Sequence, residues 1–154
     1  MSEDVRLRPI AVVRGGRLEA DDDEWGGVES TIVLDRRFPA DALAGLDGFS
    51  HVEVVFVFDR VDPATVHVSA RRPRGNPDWP EVGIFAQRAK ARPNRIGLTT
   101  CEIVAVDGCE VRVRGLDAID GTPVLDLKPF MEEFAPRSEV REPAWARELM
   151  QHYW

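Results

Sequence analysis

Between His51 and Phe58 the chain reads His-Val-Glu-Val-Val-Phe-Val-Phe, almost without a polar break. That is the pattern of a strand covered on both faces, expected at the centre of a sheet. The other apolar stretches are strand-like as well. Ile10 to Arg14 comes first, and from Val28 to Asp35 the residues Val28, Ser30, Ile32 and Leu34 point opposite to Glu29, Thr31, Val33 and Asp35. Val66 to Ala70, Ile96 to Val106, Cys109 to Gly115 and Thr122 to Lys128 follow, each bounded by Pro, Gly or Asp. Only two segments read as helical. One runs from Ala40 to about Gly45 after Pro39. The other begins at Pro143, extends to about His152, and places Trp145, Leu149, Met150 and Tyr153 on one side. Helices do not alternate with strands, so a doubly wound fold is disfavoured. The expected class is mainly β: a small closed or nearly closed barrel with one short helix and a C-terminal helix.

At 154 residues and 44 % hydrophobic, the chain has the size and apolar content of one domain, its core expected over about 5–136. No apolar run reaches the roughly 18 residues needed to cross a bilayer. The start, Met1-Ser2-Glu3-Asp4-Val5-Arg6, lacks the basic and apolar blocks of a signal peptide. A cytoplasmic protein with no membrane partner is expected. Asp107-Gly108 between two strand-like arms predicts a two-residue hairpin turn, with Cys109 facing Val106 and Cys101 facing Arg114. The two sulfurs would then lie roughly 16 Å apart at the usual strand rise, beyond disulfide reach, as free packing residues.

Net charge is −7, but it is unevenly spread. From Arg71 to Arg95 seven basic residues (Arg71, Arg72, Arg74, Arg88, Lys90, Arg92, Arg95) meet two acidic ones (Asp78, Glu81), so this window is +5 and the remainder −12. A basic segment rich in Pro, Gly and Asn within an acidic chain points to a local anion site rather than a broad nucleic-acid face. Asp21-Asp22-Asp23-Glu24 lacks the spacing and turn glycine of a calcium loop and reads as a solvated loop. The sequence has no P-loop, dinucleotide fingerprint, zinc-protease motif or serine elbow, and His51, His67 and His152 have no spacing that would gather them. No metal site is expected.

Two dense polar segments remain: Gly83-Ile84-Phe85-Ala86-Gln87-Arg88-Ala89-Lys90-Ala91-Arg92-Pro93-Asn94-Arg95-Ile96-Gly97-Leu98 and Asp117-Ala118-Ile119-Asp120-Gly121-Thr122-Pro123-Val124-Leu125-Asp126-Leu127-Lys128-Pro129. Together, at this separation, they resemble the signature of the TsaA-like, or tRNA methyltransferase O, family. Leu46-Asp47-Gly48-Phe49-Ser50-His51 and the apolar strand after it match too. The resemblance implies a single-sheeted β-barrel, S-adenosylmethionine as cofactor, a homodimer, and methylation of N6 of threonylcarbamoyladenosine beside the tRNA anticodon. It also assigns Asp59, Arg60, Arg88, Leu98, Asp117, Ala118, Ile119 and Asp120 to the cofactor side.

The chemistry suits these assignments. A ribose and a sulfonium want carboxylates such as Asp117 and Asp120, a carboxylate wants an arginine such as Arg88, and Leu98, Ala118 and Ile119 would pack the adenine. Arg92 and Asn94 flank a proline that restricts their backbone, so these two, with Asp120, are the expected catalytic groups aimed at the acceptor. Departures from the family pattern fall at Ala89-Lys90, where tRNA-modifying members usually have Ser-Pro, and at Arg95, where they usually have Pro. The chain also ends at Trp154 without the extra C-terminal domain of longer relatives, and an acidic net charge attracts phosphate poorly. A small-molecule or peptide acceptor is therefore the alternative expectation, and a non-catalytic ligand-binding module a second.

Overall fold

The computed structural model describes residues 2–154. Six antiparallel strands close into a barrel in the order β1-β2-β7-β6-β3-β8. These are β1 (Ala11–Arg14), β2 (Glu29–Leu34), β3 (His51–Val57), β6 (Ile96–Asp107), β7 (Glu110–Arg114) and β8 (Pro123–Pro129). A separate two-stranded ribbon, β4 (Ala70–Arg71) with β5 (Val82–Gly83), sits in the long connection between β3 and β6. The period-two pattern sets which side chains enter the barrel: Val13, Ile32, Val52, Val54, Phe56, Val111, Val113 and Val124 are all at most 1 % exposed. The expected barrel is present, with β2 facing inward through Ser30, Ile32 and Leu34 as its alternation required.

β3 lies between β6 and β8, and its inner residues Val52, Val54 and Phe56 are sealed. Its outer residues Glu53, Val55 and Val57 are half-buried, because a barrel's outer face is covered only where loops cross it. Phe56 pairs with Gly97 across the β3–β6 ladder, and a Cβ on Gly97 would sit 2.5 Å from the Phe56 ring. Glycine at that position is what lets the ring lie flat over the neighbouring strand. The seam that closes the barrel is its shortest ladder: β1 and β8 share only Ala11↔Val124 and Val12↔Pro123, and Pro123 has no N–H to donate.

Three expectations are corrected. Val66 to Ala70 is not a strand; only Ala70 joins one. Val68 is 76 % exposed, so the stretch has no apolar face to bury, and the His67 N–H bonds to the Ala91 carbonyl instead of a ladder partner. The hairpin turn is Gly108-Cys109 rather than Asp107-Gly108, with Asp107 pairing Glu110. Gly108 takes φ +57 as the first turn residue, and a register shift between Ile103 and Ala105 then brings Glu102, not Cys101, opposite Arg114. Cys101 enters the core and Cys109 stays in the turn, both free. Finally, the C-terminal helix α1 spans Ala144–Met150, with Pro143 before its first turn rather than in it. The short helix expected after Pro39 is a 3-10 turn, Ala40–Leu43. Among the described residues no helix is long and apolar enough to cross a membrane.

Candidate functional site

A cleft of about 1380 Å³ opens between the barrel, the β4–β5 ribbon and α1. Both polar segments reach it. Asp59 and Arg60 follow β3, Arg88 and Arg92 lie in the basic loop, Leu98 stands on the outer face of β6, and Asp117, Ala118 and Ile119 form the turn before β8; all of them line the cleft. Asn94 and Asp120 are not among the lining residues. Asn94 is exposed at φ +61, a left-handed position that asparagine tolerates. Asp120 instead closes the adjoining turn: its Oδ1 accepts the Gly15 N–H at 2.9 Å, and its own N–H donates to the Arg17 carbonyl at 2.8 Å. That pair of bonds ties the Asp117–Thr122 turn to the end of β1.

Asp117 is the most constrained carboxylate of the cleft. Thr99 Oγ1 donates to its Oδ1 and the Tyr153 hydroxyl to its Oδ2. Burial first, and then the Asp117 charge, push the Tyr153 hydroxyl well above the ordinary tyrosine range, so it stays a donor. The same charge reaches the barrel interior, where burial and then Asp117 push the Cys101 thiol from 9.0 up to about 12.

The basic segment behaves differently from a free anion site. Arg88 donates to the Leu98 carbonyl, Arg92 to Gln87, Arg95 to Val61 at 2.9 Å, Arg72 to Pro77 and Trp79, and Lys90 to Ala20 at 3.2 Å. These cations satisfy carbonyls of an irregular backbone that has few ladder partners, which explains why so many are concentrated in one loop. Gln87, buried and absent from the expected site, donates to the carbonyls of Arg71 at 3.1 Å and Val82 at 2.9 Å and so clamps the ribbon.

The acidic run is a loop with Asp21, Asp22 and Glu24 exposed, as expected, and it is also braced as one wall of the cleft. Asp23 pairs with Arg74 at 3.0 Å, Trp25 is buried beneath the run with its indole N–H on the Asp21 carbonyl at 2.9 Å, and the Arg17 guanidinium stacks 4.5 Å over the indole. The N–H groups of Glu24 and Trp25 donate to the carbonyls of His152 and Tyr153 at 2.9 and 2.8 Å. The C-terminal segment is thereby laid along the cleft, and Trp145, Leu149, Met150 and Tyr153, the apolar stripe read from the sequence, all face it. No residue of α1 is fully buried, so the stripe serves the cleft and not the barrel core. Its spacing was legible; that it would line a site was not, since core and ligand-facing stripes share one period.

Six basic side chains (Arg60, Arg71, Arg74, Arg88, Lys90, Arg92) and five acidic ones (Asp21, Asp22, Glu53, Asp59, Asp117) line the cleft, together with exposed apolar surface from Phe85, Ile96, Leu98 and Trp154. Such a lining accepts a ligand that carries both signs of charge and a flat ring.

Comparison with known proteins agrees with this fold. The family described as the tRNA-methyltransferase O N-terminal domain matches residues 22–135. A "Probable S-adenosyl-L-methionine-binding protein" of Methanothermobacter thermautotrophicus is 37 % identical over 133 residues, covering 84 % of this chain and 93 % of that one. The "tRNA (adenine(37)-N6)-methyltransferase" of Homo sapiens is 39 % identical over 105 residues, 68 % of this chain but 23 % of that one, so this chain spans about a quarter of the human protein's length. A crystal structure of TrmO from Pseudomonas aeruginosa superposes with a TM-score of 0.75 at 25 % identity, covering 94 % of this chain and 63 % of that one.

Proposed function

This chain belongs to the tRNA-methyltransferase O family, and from that premise we propose that it is an S-adenosylmethionine-dependent methyltransferase acting on N6 of adenine in tRNA. The observation that carries this reading is the convergence of the two family segments, which flank the open end of the β6–β7 hairpin, on one cleft around the Asp117 carboxylate. The resemblance in sequence narrows the acceptor to threonylcarbamoyladenosine. A homodimer in the cytoplasm is part of the same reading.

The residues fit the cofactor. When bound, S-adenosylmethionine supplies an electrophilic methyl group on a sulfonium. Asp117, fixed by two hydroxyl donors, sets a negative charge in the cleft without swinging toward the nearest arginine. Leu98, Ala118 and Ile119, with Leu149 and Met150 opposite, exclude water from a ring and a reacting carbon. Arg88 is held by the Leu98 carbonyl with its remaining N–H groups free for a carboxylate. Asp59 and Arg60 belong with the cofactor, Arg92 is the group aimed at the acceptor, all three on the same cleft, and Asp120 acts one step removed by holding the turn. In-line transfer then depends on position more than on a dedicated base.

The Methanothermobacter relative, similar in length, is named for binding alone, which supports a ligand-binding module as the second reading. One experiment separates them. The protein is mixed with labelled S-adenosylmethionine and tRNA from cells lacking the activity, and tRNA nucleosides are read by mass spectrometry. Methylated N6 at the adenine beside the anticodon is expected; tight cofactor binding with no methylated nucleoside, in tRNA or in a metabolite extract, would overturn the enzyme reading in favour of the module.

A further inference from the structure

Arg71 stands apart from its neighbours in the basic segment. It lines the cleft, yet among the described residues no carboxylate pairs with it, while Arg74 has Asp23 and Arg72, Arg88, Arg92 and Arg95 have carbonyls. Its Nη1 lies 3.1 Å from His67 Nε2. A guanidinium has no lone pair to offer, so His67 is the acceptor and carries its proton on Nδ1. Its Nε is closed off from solvent without any partner; the only other buried side-chain polar atom in that condition, among the described residues, is Ser30 Oγ. An orphaned N–H on a charged group is costly and calls for an acceptor. The backbone that carries it is rigid: the Arg71 carbonyl accepts from Gln87, which also grips Val82 across the ribbon.

With Nη1 committed to His67 and Nε closed off, the N–H groups left for an incoming ligand are those of Nη2, and an anion there offsets a charge shared by all three nitrogens. We propose that Arg71 acts with Arg88 as an anion receptor of this cleft, taking the carboxylate of an amino-acid group on the bound ligand, with His67 fixing the orientation of the guanidinium. This rests on the cofactor reading above. The carboxylate has two sources, the amino-acid end of the cofactor or a carboxylate borne by the acceptor, and the chemistry at Arg71 is the same for both.

The test uses the full chain and two variants, Arg71→Gln and Arg71→Lys, the second keeping the charge but not the planar guanidinium that His67 orients. Calorimetry is run with S-adenosylhomocysteine and with 5′-methylthioadenosine, which shares the thioether nucleoside and lacks the amino-acid end. KM is then measured for an N6-substituted adenosine acceptor with a free carboxylate and for its methyl ester. If the cofactor supplies the carboxylate, Arg71→Gln weakens S-adenosylhomocysteine about tenfold or more and leaves methylthioadenosine within about twofold, with Arg71→Lys between. If the acceptor supplies it, S-adenosylhomocysteine binding is unchanged and only KM for the free acid rises, again about tenfold or more. Equal losses with and without the carboxylate, or no change in any arm, overturn the role of Arg71 while leaving the site in place. A wild-type chain that binds neither nucleoside overturns the cofactor reading itself, and this proposal with it.

Discussion

At the scale of single residues, Arg95 shows how far a family pattern can be carried. Relatives usually place proline there, but here the residue sits at φ +50, its N–H donates to the Arg92 carbonyl at 3.0 Å, and its guanidinium to the Val61 carbonyl at 2.9 Å. A proline ring fixes φ near −65° and has no N–H, so this loop takes a turn that the usual residue forbids. Arg95→Pro is expected to lower stability by about 3 kcal/mol, whereas Arg95→Gly, which keeps the backbone, loses about 1 kcal/mol with the bond to Val61. Urea denaturation of both variants checks this, and an Arg95→Pro midpoint equal to wild type would show that the turn is not required. Asn94 belongs to the same turn, so its left-handed backbone accounts for its place in the motif without a contact in the cleft.

At the scale of elements, the cleft depends on a wall made of two distant pieces, the 20–26 loop and the residues after α1. The Trp154 backbone passes so close to Gly26 that a Cβ there would lie 2.8 Å from it. Gly26→Ala should therefore detach the C-terminal segment and leave the barrel intact. Hydrogen exchange should then quicken at the amides of Glu24 and Trp25, with the unfolding free energy from urea denaturation changing by less than about 1 kcal/mol. Unchanged protection at those amides would refute the contact. This wall marks the limit of what the sequence discloses. Strand alternation in β2 and β3 is a local signal, so the barrel was legible, as were the two motif segments, whose residues mostly reach the cleft. The four-residue acidic run has no periodicity, and its partners Arg17, Arg74 and His152 are scattered along the chain, so only the fold could reveal that it is braced. The hairpin turn was misplaced by one residue because Gly108 takes its left-handed φ as the first turn residue and not the second, and farther along β6 a bulge resets a register that sequence spacing treats as uniform.

At the scale of the whole molecule, the carboxylate that organises the cleft also couples it to the core. Asp117 bears on Tyr153 in the wall and on Cys101 inside the barrel. Both groups are raised in the folded state, so their protonated forms favour the fold. The contribution of Cys101 is fully present below pH 9.0 and is lost as pH climbs from there toward about 12. Tyr153 acts in the same direction above the ordinary tyrosine value of 10.0. Chemical denaturation followed from pH 8 to 11 should show stability falling with a slope of at most about 1.4 kcal/mol per pH unit for each group, and Cys101→Ala should flatten that decline. A wild-type slope that Cys101→Ala leaves unaltered would assign the alkaline loss elsewhere. The barrel's short β1–β8 ladder adds a consequence of its own. The turn that presents Asp117 runs directly into β8, and Asp120 fastens it to the chain just beyond β1. Thermal breathing would begin where the sheet is least stitched, at the end of β8 into which the Asp117 turn leads. A ligand that steadies this turn also steadies the start of β8, so occupancy and barrel closure are coupled.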